Sequence, residues 1–123
     1  MASVKKTRFD ITMTRGDTYN IVFDVSKLTT SDLTCAYMTC KEKDAPEGTA
    51  KFCKKLSDSG IAKISSGKYK ISLARADTIN LDVDGQYMYD VEVKYDNEIK
   101  TIMCGCFKLL QDYTTPNDEE SDT

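Results

Sequence analysis

The chain has no histidine, no tryptophan and only two prolines in 123 residues. Without imidazole, every triad and every general-base scheme built on histidine is excluded. No run approaches the roughly 20 apolar residues that cross a bilayer as a helix. The opening stretch "MASVKKTRFDI" carries Lys5, Lys6 and Arg8 with no apolar segment behind them, so it does not read as a secretory signal. A basic excess is also missing: the net charge is −3 and the pI about 5.0, which argues against a nucleic-acid binder. There is no G-x-S-x-G, no phosphate-binding loop and no dinucleotide fingerprint.

What is there fits one globular domain. Of the residues, 40% are hydrophobic and 30% charged, enough to bury a single core without disulfides or metals. The five cysteines, at 35, 40, 53, 104 and 106, are odd in number and lack the C-x₂-C spacing of a zinc turn. They read as reduced, small, core-filling residues. Cys104 and Cys106 lie two apart in a strand-like segment and so share one face of a sheet.

Alternation with period two dominates the chain. Phe9, Ile11 and Met13 are followed, after Arg15-Gly16-Asp17-Thr18, by Tyr19, Ile21, Phe23 and Val25. Residues 33–41 alternate with both sets moderately apolar, which predicts cover on both faces. Residues 42–50 are a surface loop with Pro46 and Gly48. A short, charged strand from Phe52 to Leu56 suits a sheet edge. Two strands, 61–64 and 68–73, are joined by Ser65-Ser66-Gly67, and residues 74–82 break the alternation as one helical turn. Residues 86–95 form the clearest strand, with Tyr87, Tyr89, Val91, Val93 and Tyr95 on one face. A tight turn at Asp96-Asn97 leads to its partner strand, in which Gly105 marks a bulge or a close packing site. Pro116 is expected to end that strand. Some seven to eight short strands with frequent turns and almost no helix predict an all-β, antiparallel, immunoglobulin-like sandwich. The disulfide and buried tryptophan of antibody domains are absent.

Three parts are expected: an N-terminal arm at 1–7, the sandwich at 8–113 and an acidic tail at 114–123. Asp82/Asp84 and Asp17/Asp24 lack the further ligands of a calcium loop, so a turn is the reading for "LDVDGQ". Tyr87, Tyr89 and Tyr95 could stack on sugars or bases, but strand spacing places them on an inner face. No cysteine has an activating neighbour. No enzyme activity, metal or cofactor is expected. Arg15-Gly16-Asp17 matches an adhesion tripeptide, yet its place between two alternating strands makes it a turn, with Gly16 supplying positive φ and Thr18 opening the next strand.

Three segments together carry a resemblance: "FDITMTRGDTYNIVFDV", "GKYKISLARADTINLDVDGQYMYDVEV" and "IKTIMCGCFKLLQDYT". Their order, from about residue 8 to 115, resembles small virion proteins of tailed bacteriophages, in particular the N-terminal domain of upper baseplate proteins and its short standalone relatives. The resemblance implies a non-catalytic structural module, assembled in the bacterial cytoplasm into a virion. It would bind a repeated tail, baseplate, neck or capsid surface in many copies, with no nucleic-acid or membrane partner. A capsid decoration protein and a carbohydrate- or cell-surface-binding sandwich are the alternatives. Exposure points to Lys5, Lys6, Lys41, Lys43, Asp118, Glu119 and Glu120 as candidate protein contacts.

Overall fold

The computed structural model describes residues 7–115, 117 and 118. Nine strands and one helical turn follow one another in the order β1 (Thr7–Arg8), β2 (Ile11–Thr14), β3 (Tyr19–Asp24), β4 (Cys35–Glu42), β5 (Phe52–Lys55), β6 (Ile61–Ser65), β7 (Lys68–Leu73), α1 (Arg75–Thr78), β8 (Tyr87–Tyr95) and β9 (Glu98–Leu110). They form two facing sheets. One runs β1-β9-β8-β4-β5, with β2 also on β9; the other runs β3-β7-β6. All pairings are antiparallel except those of β1 and β2, which lie parallel to β9 in one register, Thr7 beside Met103 and Ile11 beside Phe107.

This strand order is immunoglobulin-like on its own evidence. In immunoglobulin lettering β3, β7 and β6 are B, E and D, and β9, β8, β4 and β5 are G, F, C and C′, the variable-type arrangement. The corner before strand F carries a second mark of the fold. The Tyr87 hydroxyl accepts a hydrogen bond from the Asp82 amide at 3.0 Å, tying the start of β8 back to the turn that precedes it. Two residues further on, where antibody domains carry the second cysteine, this chain has Tyr89. Its buried hydroxyl donates to the Phe9 carbonyl, fastening β8 to the first strand segment without a disulfide.

The core lies between the sheets. Ile21, Phe23 and Val25 meet Tyr69, Ile71 and Leu73 from one side, and Ala36, Met38, Val91, Val93, Phe107 and Leu109 from the other. Phe23 stacks on Tyr69 with ring centroids 5.7 Å apart. The Tyr69 hydroxyl then accepts from the Leu33 amide at 2.9 Å, so its polar end is also satisfied inside. All five inward positions of β8 are buried, as its alternation predicts. The Asp96-Asn97 turn has φ of 47° and 64°, the doubly left-handed geometry that a two-residue hairpin requires.

Several expectations are corrected. Phe9 does not share an inner face with Ile11 and Met13; it is 42% exposed, in a break between β1 and β2. Gly105 explains that break. A Cβ there would overlap the Phe9 carbonyl, so Gly105 is the close packing site, and the bulge in β9 falls instead at Ile102, between the Val91 and Glu92 pairings. Strand β4 is not covered equally: Ala36, Met38 and Cys40 are core, while Cys35, Tyr37 and Thr39 are half-buried on the outer face. Of the cysteines only Cys40 fills the core; the other four are half-buried and all five are free. All five sit in the six-stranded sheet, so none could bridge the two sheets. Finally, β9 ends at Leu110. Pro116, expected to end it, lies outside the described residues.

Candidate functional site

The turn between β2 and β3 is built from its backbone outward. Gly16 has φ of 84°, a conformation that a side chain would strain. The Gly16 amide donates to Thr78 Oγ1 at 2.8 Å, in the interior. The Asp17 amide closes the turn on the Thr14 carbonyl at 3.1 Å, and the Arg15 amide continues the β9 pairing onto Leu110 at 3.0 Å. The Arg15 side chain is drawn inward. Its Nε donates to Asp112 Oδ1 at 2.8 Å and its Nη1 to the Leu81 carbonyl at 3.1 Å. Asp17 and Thr18 remain exposed. An adhesion tripeptide must offer both its charges to a partner; here the arginine joins β2, the segment before β8 and the segment after β9.

The second feature is the outer face of the six-stranded sheet. It presents Cys35, Tyr37, Thr39 and Lys41 from β4, Met88, Asp90, Glu92 and Lys94 from β8, and Cys104 and Cys106 from β9. Lys94 Nζ stands 5.6 Å from the Tyr37 ring centroid. The Tyr37 hydroxyl has a raised pKa, chiefly from its hydrogen bond with Cys35 and then from negative charge beside it. A cleft of about 450 Å³ opens here, lined among others by Thr39, Lys41, Met88, Asp90 and Cys104. Lys41 reaches over its rim to the Pro46 carbonyl, Nζ to O 2.7 Å, and so holds the following loop down. Lys43, whose amide donates to the Gln86 carbonyl at 2.8 Å, stands on the same rim with an exposed side chain.

The expected contact residues are therefore divided. Lys41 and Lys43 come together at the cleft. Asp118 does not reach it; its carboxylate accepts from the Thr115 amide at 3.1 Å and from Thr115 Oγ1 at 2.8 Å, which holds its pKa below the usual carboxylate value. Lys5, Lys6, Glu119 and Glu120 lie outside the described residues. Tyr87, Tyr89 and Tyr95 are buried, so the stacking surface considered for them does not exist. Asp82 and Asp84 belong to a turn in which the Gly85 amide donates to the Asp82 carbonyl at 3.2 Å. Among the described residues, no cluster of three or more Cys, Asp or Glu side chains is placed to hold a metal ion.

Two ion-paired residues escaped the sequence reading. Asp112 is buried under Arg15, and Lys54 turns inward from the edge strand β5 to Asp77 Oδ2 at 2.9 Å. Asp112 lies in the third resembling segment, but nothing there marks it as an ion-pair partner, and Lys54 lies in none of the three. The signal for Lys54 was its place in a strand where the alternation puts it on the core side, opposite Met38.

No protein-family model matches the sequence, and curated proteins give no match. Among solved structures, the chain is similar to the extracellular fragment, including the stalk region, of novel immune-type receptor 11 from Ictalurus punctatus. Identity is 12% and the TM-score 0.45, covering 98% of this chain and 100% of that one. The extracellular fragment of receptor 10 from the same fish is 13% identical, with a TM-score of 0.42, covering 85% of this chain and 98% of that one. The immunoglobulin-like class stated above rests on this chain's own strand order.

Proposed function

We propose that the chain is a non-catalytic structural module of a tailed-bacteriophage virion, binding a repeated protein surface of the tail, baseplate, neck or capsid. The observation that carries this reading is the order of its three resembling segments. They coincide with β2–β3, with β7 through β8, and with β9, so they include the residues that set the framework: the Arg15–Thr18 turn, Tyr87, Gly105 and Asp112. Two ion pairs help hold that framework, Arg15 with Asp112 and Lys54 with Asp77.

The contact surface in this reading is the rim that carries Lys41 and Lys43, together with the outer sheet face beside it. A many-copy assembly needs only modest affinity at each such rim, because engagement of neighbouring copies multiplies weak contacts. The test is incorporation. Tagged protein supplied during phage growth should co-sediment with particles, and Lys41→Glu with Lys43→Glu should lower that incorporation while leaving the thermal midpoint within a few degrees. Equal incorporation of the charge-reversed variant would move the contact surface elsewhere; no co-sedimentation of either protein would remove the virion role.

A further inference from the structure

We propose that the free edge of β3 takes up one extended strand of another protein, apolar at alternate positions and with lysine or arginine set opposite Asp24. Strand β3 ends its three-stranded sheet and, among the described residues, pairs only with β7. One contact fixes which of its residues are bonded there. The Val25 amide donates to the Gly67 carbonyl at 2.8 Å, in register with the β3–β7 ladder. Bonded pairs recur at every second residue of an antiparallel ladder, so Tyr19, Ile21 and Phe23 exchange hydrogen bonds with β7. Asn20, Val22 and Asp24 therefore turn their amides and carbonyls outward, where no described residue pairs with them.

The edge is bare in a second sense. Sheet edges are commonly blunted by short strands, lysine, proline or a bulge. Here β1, β2 and β5 have two, four and four residues, and β5 ends on Lys55. Strand β6 carries Lys63 and a register shift beside it. Strand β3 has six residues in unbroken register and none of these devices. Beside it opens a cleft of about 260 Å³, lined among others by Thr7, Phe9, Tyr19, Ile21, Val22 and Met103. Met103 lies opposite the core residue Val91, yet it is only half-buried, and Phe9 and Val22 are exposed. The small sheet is short of the one strand that would roof these side chains.

The cleft specifies what fills it. Backbone pairing to an edge supplies affinity, and alternate side chains supply selectivity. Side chains opposite buried Ile21 and Phe23 would point onto the floor at Phe9 and Met103, which calls for apolar groups. A side chain opposite Asp24 meets an exposed carboxylate, which calls for a cation. The chain's own segments outside the described residues lack this pattern. Residues 1–6 set Lys5 beside Lys6, which would drive one lysine onto the apolar floor. Residues 119–123, EESDT, have no apolar side chain and would bring acid towards Asp24. A second copy brought edge-on would need its facing sheet where Thr7 and Phe9 already stand. A single strand of a different protein meets every requirement. This surface lies on the other sheet from the Lys41–Lys43 rim and stands independently of the virion reading.

The probe is the synthetic peptide acetyl-Lys-Val-Thr-Val-Thr-amide, followed by amide NMR and hydrogen exchange on this protein. Antiparallel pairing sets its lysine opposite Asp24, its valines opposite Phe23 and Ile21, and its threonines opposite Val22 and Asn20. Without peptide, the Asn20, Val22 and Asp24 amides should exchange fast beside slow Ile21 and Phe23. With peptide at millimolar concentration, those three should shift saturably and gain protection. N-methylation of the first threonine, whose amide faces β3, should abolish binding, while N-methylation of the first valine should not. Glutamate in place of the lysine should weaken binding about twofold to fivefold. Asp24→Asn, which keeps the acceptor for the Ser26 amide, should do the same to the original peptide. Absence of saturable shifts, or equal loss from both N-methyl peptides, overturns the proposal. So does protection of the three amides without peptide: at every protein concentration it assigns the edge to the chain's own segments, and only at high concentration to a second copy.

Discussion

Arg15 Nε donates to Asp112 Oδ1 at 2.8 Å, and this contact joins residues 97 apart in the chain. The Asp112 side chain is only 6% exposed and that of Arg15 23%. Removing the arginine therefore leaves a carboxylate with little access to water. Arg15→Ala should lower unfolding free energy by about 3 kcal/mol, measured by urea denaturation. Asp17→Glu, in the same turn but exposed, should stay within about 0.5 kcal/mol of the parent. An adhesion motif would give the reverse emphasis, with Asp17 the sensitive position for function and Arg15 dispensable for folding.

Thr78 tests the same turn from the other side. It is fully buried, and its hydroxyl is the acceptor for the Gly16 amide. Thr78→Val keeps the shape and removes the acceptor, so it should cost about 1–3 kcal/mol, while Thr78→Ser should recover much of that. Gly16→Val should impair folding outright. It forces a β-branched residue to φ of 84° and brings its Cβ within 2.8 Å of Ile79 Cδ1. Normal folding of Gly16→Val, read by circular dichroism and thermal melting, would contradict the turn described above.

Burial raises the Cys40 thiol from 9.0 to about 12. The sign follows from proton binding. Above the unfolded value the unfolded chain loses this proton while the folded chain keeps it, so unfolding gains from ionisation and stability falls with rising pH. The loss begins near pH 9 and continues until the folded thiol itself ionises. It should amount to about 1 kcal/mol between pH 9 and pH 10. Tyr89, also raised by burial, adds a loss of the same sign at higher pH. Urea midpoints of the parent and of Cys40→Ala over this interval make the check. The variant starts lower, because a core group is gone, but should lack the Cys40 share of the slope.

Much of this fold could be read in the sequence because period-two alternation reports burial directly. Tyr87 to Tyr95, the 61–73 hairpin and the Asp96-Asn97 turn fall where the pattern places them. The misses share one physical cause: they depend on what a residue meets across the sandwich. Phe9 looked inward by spacing, but the close approach of Gly105 breaks the strand there. Four cysteines looked like core by residue type, but their positions in β4, β5 and β9 turn them outward. At the candidate site the Arg15–Thr18 turn was legible from its glycine and flanking strands. Its anchors, Thr78 and Asp112, come from distant segments, and although both lie in the resembling stretches, nothing local pairs either of them with the turn.

Quantitative mass spectrometry of particles purified from the lysate that makes this protein tests the central proposal most directly. The virion role predicts a fixed stoichiometry set by ring or shell symmetry, about six to eighteen copies for a neck or baseplate ring and hundreds for a capsid or tail tube. Particles that are complete by every other structural protein yet contain none of this chain would contradict it.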